Sequence, residues 1–242
     1  MPPLRKNTCP KRIQGHSVIM LDLPDVAACR ASLDVALAAM TRREAPYRHW
    51  LMANVFPDPV PEAVRALPFA AQEVGDLSGR RELHNATRTY FDAEHCARYA
   101  VCDVLARAFQ DPRTVGALAR AFGTNLDGTC LRIEYAADTD GFWLEPHTDL
   151  GVKSLTFLYY VSDHPDHRDL GTDVYASPSE HAGRAPFTAN GALVFVPSSN
   201  TWHGFEKRPI VGIRKSLIVN YVTSAWRARE QLSYPDEPVH AA

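Results

Sequence analysis

Residues 129–163 read TCLRIEYAADTDGFWLEPHTDLGVKSLTFLYYVSD, and residues 192–223 read ALVFVPSSNTWHGFEKRPIVGIRKSLIVNYVT. Within them LRIEYA, SLTFLYYV, ALVFVP and IRKSLIVNYV are short β-branched and aromatic runs parted by Gly, Pro, Asp and Asn clusters, the pattern of strands joined by turns. No run of helical period lies between them to make parallel crossovers. The spacing therefore predicts a sandwich or jelly-roll barrel rather than a doubly wound sheet.

Upstream the pattern changes. From Asp25 to Arg43, DVAACRASLDVALAAMTRR places apolar residues at three- and four-residue steps, an amphipathic helix with Asp25 as N-cap. Prolines at 57, 59 and 61 predict a loop-rich connection between Pro46 and Pro68. Two further helices are expected, one over 92–109 capped by Asp92, with Tyr99, Cys102, Leu105 and Phe109 on one stripe, and one over 114–122 closed by Gly123. The fold class is thus α+β with a mainly β core. Residues 1–16 read as a flexible basic arm and 17–242 as one domain, helix-rich over 17–128, with a β core over about 129–223 and a tail over 224–242.

The 242 residues carry 26 Lys and Arg against 28 Asp and Glu, a net charge of −2, so no cationic excess is available for a nucleic-acid backbone. No apolar run is long enough for a membrane span, and the basic N-terminus is not followed by the apolar stretch of a signal peptide. A cytoplasmic location is expected. Five cysteines without a CxxC pair suggest neither a disulfide framework nor a zinc ribbon, so any metal must be held by other ligands.

Those ligands are offered by EPHTDL. His147 and Asp149 stand two residues apart, and in extended chain positions i and i+2 project from one face. His203, just after ALVFVP, can supply a third. Two imidazoles and one carboxylate make the facial triad of non-haem Fe(II), which leaves positions open for a co-substrate and dioxygen. An H-x-D triplet alone is a weak signal. Its companion is Arg214, which opens RKSLIVNYV, where alternation puts Arg214, Ser216, Ile218 and Asn220 on one face. A guanidinium with a hydroxyl beside it is suited to holding a carboxylate.

The ordered set of His147-Thr148-Asp149, His203 and Arg214-Lys215-Ser216 resembles the Fe(II)/2-oxoglutarate-dependent oxygenases, in particular their prolyl-4-hydroxylase-like branch, over roughly Thr129 to Thr223. The resemblance implies a double-stranded β-helix, jelly-roll or cupin-like, buttressed by the N-terminal helices. It implies that His147, Asp149 and His203 bind Fe(II) and that Arg214, helped by Ser216, binds the far carboxylate of 2-oxoglutarate. Tyr135 and Tyr160 are carried over as co-substrate contacts, Tyr159 being the competing choice for the latter. The implied reaction uses O2 and 2-oxoglutarate to hydroxylate, desaturate or cyclise a small polar metabolite at an unactivated C–H, with release of succinate and CO2. No catalytic residue is needed beyond the metal ligands. Related halogenases lack the carboxylate that Asp149 supplies, so chlorination is not expected. The alternatives are a hydroxylase of a protein side chain, and a cupin-like metal enzyme or binding jelly roll that does not use 2-oxoglutarate.

Residues that could line a substrate pocket are Asn85 and Arg88 in the polar segment 79–92, Trp143 near the first histidine, Lys153 and Arg132. If Tyr135 points to the metal, Arg132 points away from it, toward solvent. His164, His167 and His181 fall in or near a loop rich in Asp and Pro and read as solvated. A small-molecule substrate is the only partner expected, and the oligomeric state is not legible.

Overall fold

The computed structural model describes residues 22–71, 79, 88–149 and 151–242; the arm 1–16 and Asn85 lie outside the described residues. The chain folds into two antiparallel sheets with helices on one side. The larger sheet has seven strands in the order β1 (Thr41–Arg43), β2 (His49–Met52), β9 (Gly191–Phe195), β6 (Lys153–Tyr160), β11 (Arg214–Val222), β4 (Cys130–Asp138) and β3 (Thr89–Tyr90). The smaller has four, in the order β5 (Leu144–His147), β10 (Trp202–Phe205), β7 (Asp173–Ser177) and β8 (Glu180–Arg184).

The central strands of the larger sheet are buried on both faces. Leu131, Ile133 and Tyr135 of β4, Phe157 and Tyr159 of β6, and Leu217, Val219 and Tyr221 of β11 face the helices and share their core with Leu105, Phe109 and Leu118. The alternate residues face the smaller sheet, where Leu158, Tyr160, Leu193 and Phe195 meet Phe142, Leu170, Val174, Phe187 and Phe205. The two-residue period thus sorts each strand into a helix-facing and a sheet-facing set.

Asp25 caps the helix Val26–Ala38 by accepting from the Ala28 amide at 2.8 Å. The helix expected over 92–109 is two, Ala93–Arg98 and Ala100–Gln110, parted at Tyr99, whose backbone is extended at φ −123 and ψ 112. The Tyr99 ring packs edge-on to Phe69, so tertiary packing overrides the continuous stripe. The last helix, Pro112–Phe122, ends at Gly123 with φ 68, a left-handed position that glycine adopts without a Cβ clash. Within the expected loop of 46–68 lie β2 and the helix Pro59–Arg65, whose prolines sit in the first turn, where the missing N–H has no intrahelical partner anyway. No helix among the described residues is long and apolar enough to cross a membrane.

Candidate metal and co-substrate site

His147 ends β5 and His203 lies in β10, and the antiparallel register sets them directly opposite one another. Their ring centroids are 4.3 Å apart. Each ring is turned by its own backbone: His147 Nδ1 lies 2.9 Å from the Glu145 carbonyl oxygen and His203 Nδ1 lies 3.0 Å from that of Thr201. A carbonyl only accepts, so each Nδ1 carries a proton, and each Nε2 is turned toward Asp149. Asp149, just past β5, completes the group. Its Oδ1 is 3.9 Å from His147 Nε2 and its Oδ2 is 3.7 Å from His203 Nε2.

One ligand atom from each of the three lies within 4.8 Å of the others, and two nitrogens with one oxygen suit a divalent transition metal. The residues fit the metal. The carboxylate is held from behind: Asp149 Oδ2 accepts from Lys153 Nζ and Thr156 Oγ1, each at 2.9 Å, and Asn220 Nδ2 donates to Thr156 Oγ1 at 3.1 Å.

At the other end of the same cavity Arg214 opens β11. Its Nε donates to the Leu170 carbonyl at 2.7 Å and its Nη1 to Asp138 Oδ2 at 2.6 Å, while its guanidinium lies 4.6 Å from the Phe205 ring centre. Ser216 follows on the same face, directly across from Tyr160. The Tyr160 hydroxyl donates to Thr172 Oγ1 at 3.0 Å and accepts from the Thr172 amide at 3.3 Å. Burial raises its pKa, against the opposing pull of Thr172 and Arg214, so the phenol is neutral. The triad, Arg214, Ser216 and Tyr160 all line one cavity.

No family model and no curated protein sequence matches the chain. Solved structures do match it. A prolyl 4-hydroxylase from Phytophthora capsici superposes with a TM-score of 0.57 at 12% identity, covering 86% of this chain and 69% of that one. A Trichoplax adhaerens prolyl hydroxylase, solved with a hypoxia inducible factor peptide fragment, does so with a TM-score of 0.50 at 12% identity, covering 80% and 88% respectively. The chain has the prolyl 4-hydroxylase fold. At such identity the likeness is one of backbone arrangement, and the chemistry must be read from this chain's own side chains.

Within the prolyl 4-hydroxylase fold of this chain, two sequence expectations reverse. Tyr135 is not at the site: it faces the helices, its ring 5.2 Å from that of Phe69, because β4 turns its odd-numbered residues to that side. Arg132, expected in solvent, is fully buried. It donates to Gln231 Oε1 at 2.9 Å, Glu134 Oε2 at 2.8 Å, Tyr90 Oη at 3.2 Å and Asn220 Oδ1 at 3.4 Å, between the rings of Tyr90 and Trp226. It braces the wall and does not line the cavity. Tyr159 also faces the helices and donates to Asn190 Oδ1, which leaves Tyr160 as the tyrosine of that pair on the cavity.

Of the substrate candidates, Arg88 and Lys153 line the cavity, whereas Trp143 lines a separate outer groove with Tyr175 and His181. Phe142 takes the inner position, under the Arg88 guanidinium at 5.3 Å. Burial opposes the charge on Arg88, but Asp138 and then Glu134 raise its pKa above the ordinary guanidinium value. Glu134, Asp138, Thr156 and Thr172 were missed; the charged residues at alternate positions 132, 134 and 138 were the available signal for the first two.

His167 is buried, not solvated, with Nε2 2.7 Å from the Val211 carbonyl oxygen; burial lowers its pKa. His181 Nε2 lies 3.1 Å from Asp173 Oδ1. That carboxylate already accepts from Arg184 and Arg208, so the grouping of Asp173, His181 and Glu206 is compensated by cations of the protein itself.

Proposed function

We propose that this protein is an Fe(II)- and 2-oxoglutarate-dependent oxygenase that hydroxylates an unactivated C–H of a small polar metabolite, with desaturation or cyclisation as variants of the same chemistry. The two sheets are read as the walls of a double-stranded β-helix. The observation that carries the reading is the presence, on one cavity, of two His Nε2 atoms facing a carboxylate and of a buried arginine that no described residue engages at Nη2. His147, Asp149 and His203 would hold the metal, and Arg214 with Ser216 and Tyr160 would hold the co-substrate. Bound Fe(II) supplies the redox chemistry by which substrate C–H, O2 and 2-oxoglutarate become substrate C–OH, succinate and CO2.

The protein's own contribution is positional. The Glu145 and Thr201 carbonyls set the histidine tautomers, and Lys153 and Thr156 fix the tilt of the Asp149 carboxylate. Leu170 and Asp138 aim the Arg214 guanidinium, and Phe205 and Phe187 shield it from water, which strengthens its pull on a carboxylate. Leu158 and Ile218 make the stretch of wall between the two anchors apolar.

The test is anaerobic loading with Fe(II), followed by O2, 2-oxoglutarate and a panel of small metabolites, reading succinate and the mass of the product under labelled dioxygen with chloride present. A compound that stimulates succinate formation and gains one labelled oxygen, with no halogen, supports the reading. Succinate formation that is absent, or equal in the His203→Ala protein, overturns it; stimulation by peptides alone would transfer the substrate to a protein side chain.

A further inference from the structure

Arg88, Asp138 and Arg214 form a buried chain of charges in the cavity wall. Asp138 Oδ1 accepts from Arg88 Nη1 at 2.7 Å and its Oδ2 from Arg214 Nη1 at 2.6 Å, with the three side chains 5%, 1% and 7% exposed. The two arginines come from separate places in the fold. Arg214 stands directly across from Asp138 in the pairing of β11 with β4, whereas Arg88 precedes the edge strand β3 on the far side of β4. Two guanidiniums on one carboxylate leave the trio with a net positive charge. Glu134 is shared, its Oε2 2.8 Å from Arg132 Nη2 and its Oε1 3.3 Å from Arg88 Nε, so the wall holds three guanidiniums against two carboxylates and keeps a net positive charge. A buried surplus charge is costly unless an opposite charge reaches it; Arg88 Nε makes no hydrogen bond to a described residue but lies 3.3 Å from Glu134 Oε1, whereas Arg214, on the cavity, has at Nη2 no bond to any described residue.

We propose that Arg88 is a positioning residue for the co-substrate anchor: by taking a share of Asp138, it stops that carboxylate from neutralising Arg214 and so keeps Arg214 cationic toward a dicarboxylate in the cavity. The inference rests on the 2-oxoglutarate reading of the site and adds a residue that acts through Asp138. Its signature is a pattern of substitutions. With Arg88 gone, Arg214 and Asp138 become a closed pair of no net charge, and the ligand must compete with Asp138. With the Asp138 charge removed as well, the competitor is gone.

The experiment is calorimetric titration of 2-oxoglutarate into protein loaded with Mn(II), a divalent ion that keeps the site assembled without turnover. Arg88→Gln should weaken binding about tenfold, the scale of a charge-assisted contact. Arg88→Lys, which keeps a cation near Asp138 but loses the fork that also reaches Glu134, should lose less affinity than Arg88→Gln. Adding Asp138→Asn to Arg88→Gln should recover most of the lost affinity, an outcome that general damage to the fold would not produce. Unchanged binding in Arg88→Gln, or a double variant no tighter than Arg88→Gln alone, overturns the inference while leaving the co-substrate assignment standing. If the unmodified protein itself takes up no 2-oxoglutarate, the functional reading falls and this inference falls with it.

Discussion

Lys153 Nζ and Thr156 Oγ1 both donate to the same oxygen of Asp149, Oδ2, each at 2.9 Å. The two donors come from β6, so the strand that forms the middle of the large sheet also sets the tilt of the carboxylate of the triad.

Thr156→Val keeps the shape of the side chain and removes one donor to Asp149 and one acceptor for Asn220. Divalent metal affinity should fall by about 10-fold or more, the usual effect of losing a partner behind a ligand. Anaerobic titration with Fe(II) checks it, and equal dissociation constants in variant and parent would remove Thr156 from the account.

The two tyrosines should part company. The Tyr135 hydroxyl is buried with no hydrogen-bond partner among the described residues, so Tyr135→Phe should leave 2-oxoglutarate binding unchanged and keep or raise stability, by up to about 1 kcal/mol. Tyr160→Phe removes both contacts to Thr172 and should weaken 2-oxoglutarate binding several-fold. Thermal melts and titration of the two variants side by side make the comparison.

Gly171 lies between Leu170, whose carbonyl holds Arg214, and Thr172, which holds Tyr160. A Cβ there would overlap the Ala185 carbonyl oxygen. Gly171→Ala should therefore cost about 1–3 kcal/mol in overpacking and, unlike an ordinary core clash, also weaken 2-oxoglutarate binding. Denaturant unfolding and ligand titration of the same sample separate the two effects; normal affinity in a destabilised variant would show that the spacing at Gly171 does not reach the anchor.

Asp173 predicts an acid limit. Burial pushes its pKa up, but bonds from Arg208, the Glu206 amide and Arg184 outweigh that and hold it below the usual carboxylate range. As pH drops below the unfolded value, about 3.9, the unfolded chain takes up the proton first. The contribution of Asp173 is thus fully present above that pH and is lost as pH falls toward the folded value. Asp173→Asn should lower stability by about 3 kcal/mol at pH 7, with the gap to the parent narrowing below about pH 4. Unfolding curves at both pH values decide it.

The strand runs, the two-residue step from His147 to Asp149 and the face shared by Arg214 and Ser216 were legible because each depends on local spacing, and a two-residue period leaves little freedom. His203 was offered by its position after ALVFVP and by the family resemblance, and its place opposite His147 depends on the pairing of β10 with β5. What spacing could not say is which way a strand buried on both faces is turned. In β4 the alternation separated Tyr135 from Arg132 and Glu134 correctly, yet the ordinary preference of charge for water pointed the wrong set inward. The charges are inside because they satisfy one another: Arg132 is matched by Glu134, and Asp138 by Arg88 and Arg214. His167 was misplaced for a similar reason, since the partner that permits its burial, the Val211 carbonyl, is 44 residues away in sequence.

Arg132 is enclosed partly by Trp226 and Gln231, which lie beyond the last strand in the stretch that reads as a tail. That stretch therefore acts as a plug. A fragment ending at Thr223 would keep every residue of the triad and every described strand, yet it would let water onto a guanidinium that steadies Glu134. Fusion partners, affinity tags and trimmed expression boundaries should accordingly be placed beyond Val239, which is itself buried and paired with Gly128 and Thr129, because a cut drawn at the edge of the sheet would unseal the cavity wall from behind.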